Sequence, residues 1–340
     1  MKHMRLALPL LLFSVSAPAA AQSSIAREAR DSSRAALVRD VSYLASERLA
    51  GRATGSPGND SATVYLARSY QAMQVSAVVK TTRCDSAGAC QLSYLQGFHP
   101  PAFVLRRAGI DTTATAFNVV AAVEGTDSTL AGEWLVIGAH YDHLGRTGFG
   151  VLDPYFASEP HLGADDNASG TAAVLEIARR LASAPMRRPV MFVNFGAEEL
   201  GEFGSADFVA HSPIPLDSII AMFNFDMVGH LGDRRLQLFG LGSSRGWGWI
   251  IDSANVQPVL RLDRHDEMDQ QGTGSDHDSF NRVGVPVVLF FTGMHSAYHT
   301  KEDTIDRIDF DGMMSVIDFA ERIIRSVGSR TERLSKSGRR

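Results

Sequence analysis

Apolar residues recur along this chain in two rhythms. Over residues 28–49, Leu37, Val38, Val41, Leu44 and Ala45 fall on one helical face, and over 60–73 Ala62, Tyr65, Leu66, Ser69, Tyr70 and Met73 do the same. The intervening GRATGSPGND is a cluster of turn residues. Further on, the apolar positions run together between turn signals: FNVVAAV (117–123), EWLVIGAH (133–140), PVMFVNFG (189–196), SIIAMFNFDM (218–227), LQLFG (236–240) and PVVLFF (286–291). Helical patterns separate several of these runs, over Ala172–Leu181, Trp247–Ile251 and a long final stretch through Met313, Val316, Ile317, Ala320, Ile323 and Val327. Strands that are apolar on both faces and alternate with helices predict an α/β protein. The expected architecture is three-layer α/β/α around a central mixed, largely parallel sheet.

Composition adds boundaries to that picture. With 44% hydrophobic and 21% charged residues in 340, a disordered or collagen-like chain is excluded. The net charge of −5 combines unlike parts: the two ends contribute +2 (1–21) and +4 (330–340), so the body between them stands at −11. A body that acidic is a poor grip for phosphate backbones, and no nucleic-acid partner is expected. MKHMRLALPLLLFSVSAPAAAQSS opens with basic residues, continues apolar and closes on small ones, the pattern of a secretory signal cut near Ala21. Residues 1–21 are therefore expected to be a signal peptide, with export to the periplasm or medium and no membrane anchor. Without an internal repeat or long linker, 22–329 is expected to form one domain, followed by a basic, disordered tail over 330–340. Cys84 and Cys90, the only cysteines, bracket a short polar loop and in an oxidising compartment read as a local disulfide.

The chemistry collects at strand ends. LVIGAH ends at His140, FVNFGAEE at Glu198 and Glu199, and AMFNFD at Asp226, while PVVLFF leads through a short loop to His299. Asp166, in GADDNASG, sits just before a helical run. In open α/β sheets ligands bind outside the carboxyl ends of the strands. Imidazole plus carboxylate without thiolate is a donor set for zinc or a similar first-row ion. Three carboxylates and two imidazoles exceed the needs of one catalytic ion and suit two, with one carboxylate between them. Adjacent Glu198 and Glu199 suggest a division in which one ligates and the other handles protons. Asp142 and Asp303, close in sequence to His140 and His299, are expected to hold the imidazole tautomers.

These motifs resemble the secreted di-zinc aminopeptidases of metallopeptidase family twenty-eight, whose superfamily includes glutamate carboxypeptidase II and glutaminyl cyclase. The resemblance covers about residues 35–325, beginning at YLASERLAGRATGSPGN and NVVAAVEG and running through every metal motif in order. It implies a zinc-exopeptidase fold, two Zn2+ ions and peptide substrates with a free N-terminus. It implies His140, Glu199, Asp226 and His299 as terminal ligands, Asp166 as the bridging ligand with a cis Asp166–Asn167 peptide, and Glu198 as general base. Tyr298 matches a tyrosine that in some members polarises the scissile carbonyl. His140 distinguishes the chain from single-zinc glutaminyl cyclases, which lack that histidine.

Two other readings compete with this one. GSSRG (242–246) matches a serine-hydrolase elbow, with Asp276 and His299 following in order, but leaves the metal-type cluster unexplained. A non-catalytic ectodomain on the same fold would be expected to have lost ligands. The stretch 146–163 is open between a pocket wall and a surface excursion, and SDHDSF (275–280) is expected beside the site by resemblance. The remaining histidines, His143 and His295 among them, are expected on the surface or in the core.

Overall fold

The computed structural model describes residues 19–340 apart from 85–89, 234, 258, 269–273 and 336–340. The expected signal peptide therefore lies, up to residue 18, outside the described residues. In chain order the helices are α1 (Ala19–Leu44), α2 (Pro57–Ala72), α3 (Ala102–Arg107), α4 (Gly170–Ser183), α5 (Phe203–Ala210), α6 (Trp247–Ala254), α7 (His277–Arg282) and α8 (Phe310–Ser329). The strands are β1 (Ser76–Ala77), β2 (Val79–Cys84), β3 (Cys90–Ser93), β4 (Leu95–Phe98), β5 (Ala116–Val123), β6 (Trp134–His140), β7 (Val190–Phe195), β8 (Ile219–Phe225), β9 (Arg235–Phe239), β10 (Arg261–Arg264) and β11 (Val287–Phe291).

The main sheet runs β1-β5-β7-β6-β8-β11-β9-β10, with β4 also paired to β5. Its centre, β7-β6-β8-β11, is parallel throughout, whereas β5 and β9 join it antiparallel. The sheet is thus mixed and largely parallel, as the strand patterns predict. Successive residues of the central strands feed two different cores. Leu135, Ile137 and Ala139 pack with α1, α4, α6 and α8, while Val136, Met191 and Val193 pack with Phe208 of α5 and Phe280 of α7. That alternation explains the unbroken apolar runs, since neither face of these strands meets water.

Local chemistry sets the element boundaries. The side chain of Ser56 accepts from the amide of Asn59 and Pro57 occupies the first turn, so SPGN starts α2. Asp309 caps α8 in the same way through the amide of Gly312. Cys84 and Cys90 are disulfide-bonded and close the β2–β3 hairpin, outside the main sheet. The expectation of a loose tail from residue 330 needs correction over its first part. Leu334 is buried, and Arg333 Nε donates to Glu133 at 2.8 Å, so the acid preceding β6 fixes 330–335 against the body. Residues 336–340 lie outside the described residues.

Candidate metal centre

Because β7, β6, β8 and β11 are adjacent and parallel, their carboxyl ends open on one edge of the sheet. His140 is the last residue of β6, Asp226 follows β8 directly, and Glu198 and Glu199 follow β7 after a two-residue turn. Asp166 arrives from the segment before α4 and His299 from the loop after β11. Several residues here take the left-handed backbone region that side chains disfavour: Ala197 (φ 57°), Met227 (φ 50°) and His299 (φ 55°). Such non-glycine positions cluster at sites where surrounding structure dictates them.

The geometry divides the polar atoms into two sets that share Asp166. Its Oδ1 lies 3.4 Å from His140 Nε2, which is also 3.4 Å from Asp226 Oδ1. Its Oδ2 lies 3.1 Å from His299 Nε2, which is 3.3 Å from Glu199 Oε2. For bonds of about 2.05 Å, adjacent ligand atoms of a tetrahedral zinc ion are separated by about 3.3 Å. All four separations fit that edge. Glu198 Oε2 stands 3.8 Å from His140 Nε2, close to both sets.

Neutral groups and buried acids hold this arrangement. The Asp166–Asn167 peptide is cis. Asn167 Oδ1 accepts from the amides of Gly170 and Met227, while its Nδ2 donates to Phe225 O, tying the Asp166 segment to the end of β8. The helix start must be glycine here: a Cβ on Gly170 would lie 2.3 Å from Phe225 O. Ser275 Oγ donates to Asp226 Oδ2 at 2.7 Å, so SDHDSF does support the site.

Of the two expected tautomer holders, Asp142 stays beside its histidine and Asp303 does something else. Asp303 accepts from the amides of Asp165 and Asp166, at 2.9–3.1 Å, and the Nδ1 of His299 faces the carbonyl of Gly150 at 2.9 Å. Sequence proximity to His299 is misleading, because the loop turns the Asp303 side chain beneath the Asp166 segment. The His140 Nδ1 lies 3.2 Å from the backbone carbonyl of Asp142 and 3.9 Å from its carboxylate, which also accepts from Glu198 N and Thr54 Oγ1. Asp142 thereby places Glu198. A further residue escaped the sequence reading: His143 Nδ1 contacts Glu199 Oε1 at 2.6 Å, on the carboxylate's other oxygen. The only available signal was its i, i+3 spacing from His140 past the same strand end.

Comparison with known proteins bears on this geometry. The model of peptidase family M28 matches residues 118–324, well over half the chain and the whole span of the site. The chain belongs to peptidase family M28. It is 35% identical to aminopeptidase YwaD of Bacillus subtilis over 43% of this chain and 33% of that protein. It is 28% identical to leucine aminopeptidase 1 of Penicillium rubens over 58% and 53%. The chain thus spans about a third to a half of the curated relatives it matches. In fold it is similar to a zinc aminopeptidase from Bacillus subtilis (TM-score 0.64, 19% identity, 87% of this chain and 95% of that one). It is equally similar to the glutaminyl cyclase of Porphyromonas gingivalis (TM-score 0.65, 18% identity, 87% and 98%).

In this M28 chain the electrostatics follow from burial. Burial and Asp166 push the Glu199 carboxyl up, but His299 and His143 outweigh them and hold it at about 2. Burial opposes a charge on His299, yet Glu199 and Asp166 raise it to about 11. Glu198 differs: burial, reinforced by Glu199, Asp276 and Asp226, lifts its carboxyl well above the usual range against His140. The site opens into a cavity of about 340 Å³ whose apolar wall comprises Met227, Phe239, Leu289, Phe291 and Met294. Tyr298 lines it too, its ring stacked on His299 with centroids 3.8 Å apart. By contrast, GSSRG lies in a structural turn. Ser243 Oγ bridges Gly240, Val287 and Trp247, and Ser244 Oγ accepts from Gly246 N. Among the described residues neither serine is hydrogen-bonded to an imidazole.

Proposed function

We propose that this chain is an exported aminopeptidase that releases N-terminal residues from peptides with two zinc ions. His140, Asp166 and Asp226 would hold one ion, and Asp166, Glu199 and His299 the other. The observation that carries this reading is Asp166, whose two oxygens face two separate donor sets at ligand-edge distances. When bound, such ions supply Lewis acidity, bringing water toward ionisation near neutral pH and polarising a carbonyl.

The chain's own groups account for the rest. Glu198 takes a proton from water and returns it to the leaving amine. Tyr298 stands on the cavity wall where it can donate to the scissile carbonyl oxygen. Asp226, or Glu198 itself, offers negative charge to the substrate's free α-amino group. The apolar wall receives the N-terminal side chain. Export is supported by the signal-like N-terminus and by the Cys84–Cys90 disulfide, which suits an oxidising compartment. Among the described residues no helix is long and apolar enough to cross a membrane. We place the catalytic unit within 22–329.

The test is a chelator assay on purified protein with free-amine, N-acetylated and N-terminal glutamine peptides. Loss of hydrolysis with 1,10-phenanthroline, rescue by zinc, and cleavage of free-amine peptides alone are expected. Cleavage of acetylated peptides would remove the aminopeptidase assignment, and cyclisation of N-terminal glutamine without hydrolysis would favour the cyclase reading. Chelator resistance with fluorophosphonate sensitivity would instead point to a serine enzyme.

A further inference from the structure

The N-terminal motif ERLAGRATGSPGN contributes no metal ligand, yet it carries one of the two largest fully buried cations. Arg52 is 0% exposed. A guanidinium has five N–H donors, and here five backbone carbonyls accept them. Nε donates to Tyr141 O at 2.6 Å, Nη1 to Leu44 O at 3.1 Å and to Leu162 O, and Nη2 to Gly163 O at 2.7 Å and Asp166 O at 3.3 Å. Four of these carbonyls belong to the two segments that carry His140 and Asp166. Among the described residues no carboxylate forms an ion pair with the guanidinium, although a buried cation is ordinarily paired.

The backbone is bent to make this contact. Ala50, Gly51 and Arg52 take successive left-handed conformations (φ 47°, 77° and 43°), a region that side chains disfavour. Gly51 cannot be replaced, since its Cβ would lie 2.0 Å from His161 O. Asn59 Nδ2 then holds the Arg52 carbonyl at 3.1 Å, and His143 N lies 3.4 Å from the same oxygen.

We infer that Arg52 is a positioning residue of the metal centre: its fork fixes the spacing of the 140–144 and 162–166 segments, and its charge lies behind the carboxylates. This rests on the metal-ligand reading above. A guanidinium is always charged at neutral pH, and the acids whose charge reaches it are Asp166, Asp303, Asp142 and Glu199.

Arg188 is the internal control. It too is 0% exposed, but it pairs with Glu133 at 2.6–2.8 Å and binds carbonyls near the end of α8. Arg52→Lys keeps the charge and loses the fork. Far-UV circular dichroism, thermal melting, Zn2+ titration and the visible spectrum of the Co2+-loaded protein are measured for wild type, Arg52→Lys and Arg188→Lys. Arg52→Lys is expected to stay folded, lose about ten- to hundredfold in Zn2+ affinity and shift the Co2+ bands. Arg188→Lys should melt earlier with unchanged Zn2+ affinity and Co2+ spectrum. Wild-type affinity and spectrum in Arg52→Lys, or equal weakening by both variants, would overturn the inference. If Arg52→Lys does not fold, Asn59→Ala decides: about a threefold or greater loss of Zn2+ affinity is expected in a folded protein, by analogy with other outer-sphere partners. Unchanged affinity there would overturn it as well. If wild-type protein takes up neither ion, the metal reading itself fails, and this inference with it.

Discussion

The two ends of strands β6 and β7 solve opposite electrostatic problems. At their amino ends Glu133 and Arg188 form a close ion pair through two hydrogen bonds, with Arg333 adding a third to the same acid. At their carboxyl ends Asp166, Glu198, Glu199 and Asp226 converge, and among the described residues no Lys or Arg side chain forms an ion pair with any of them. Their contacts are imidazoles, amides and a hydroxyl. One end is internally neutralised and serves folding. The other gathers carboxylates and imidazoles into a donor set suited to a cation from outside.

Substitutions at the two ends should therefore separate activity from stability. The largest effect is expected for Glu198→Gln, with kcat falling about 10²- to 10⁴-fold while zinc content and melting temperature hold. Wild-type turnover on an aminoacyl nitroanilide would reject Glu198 as the base. Next comes Arg188→Met, which leaves Glu133 only Arg333 as partner and should lower unfolding free energy by about 2 kcal/mol. Denaturant titration checks this, and activity per folded molecule should be retained. His143→Ala removes the partner of Glu199 Oε1 and should weaken binding at one of two zinc equivalents by about ten- to hundredfold. Equal weakening of both equivalents in a stepwise titration would contradict that placement. The smallest effect is expected for Leu334→Ala, about 1 kcal/mol of stability with no change in zinc binding.

The same contrast explains what could be read in the sequence. His140, Asp166, Glu198, Glu199, Asp226 and His299 stood out because each is tied to the end of a strand or start of a helix, and those elements announce themselves as apolar runs. The six predicted strands match β5, β6, β7, β8, β9 and β11 to within a residue or two. The short edge strands β4 and β10 were not legible, since LQGF and RLDR lack any sustained apolar pattern. Arg52 looked like one residue in a turn cluster because its partners at Tyr141 and Leu162 are 89 and 110 positions away. Asp303 shows the converse error. Nearness in sequence to a histidine suggested a bond that the chain's path does not make, and its real partners are two amides some 140 residues earlier.

The segment 146–163 is tied to the loop that carries His299 rather than hanging free, and that has a practical side. Gly150 O and Leu152 N both meet His299, Asp153 holds His161 and the amide of Lys301, and the Lys301 ammonium lies 3.4 Å over Phe156. Yet Tyr155, between these anchors, is 96% exposed. A fluorophore or fusion grafted at that tip would sit in solvent while mechanically coupled to the catalytic edge. The loop is thus a natural attachment point for a reporter of ligand occupancy.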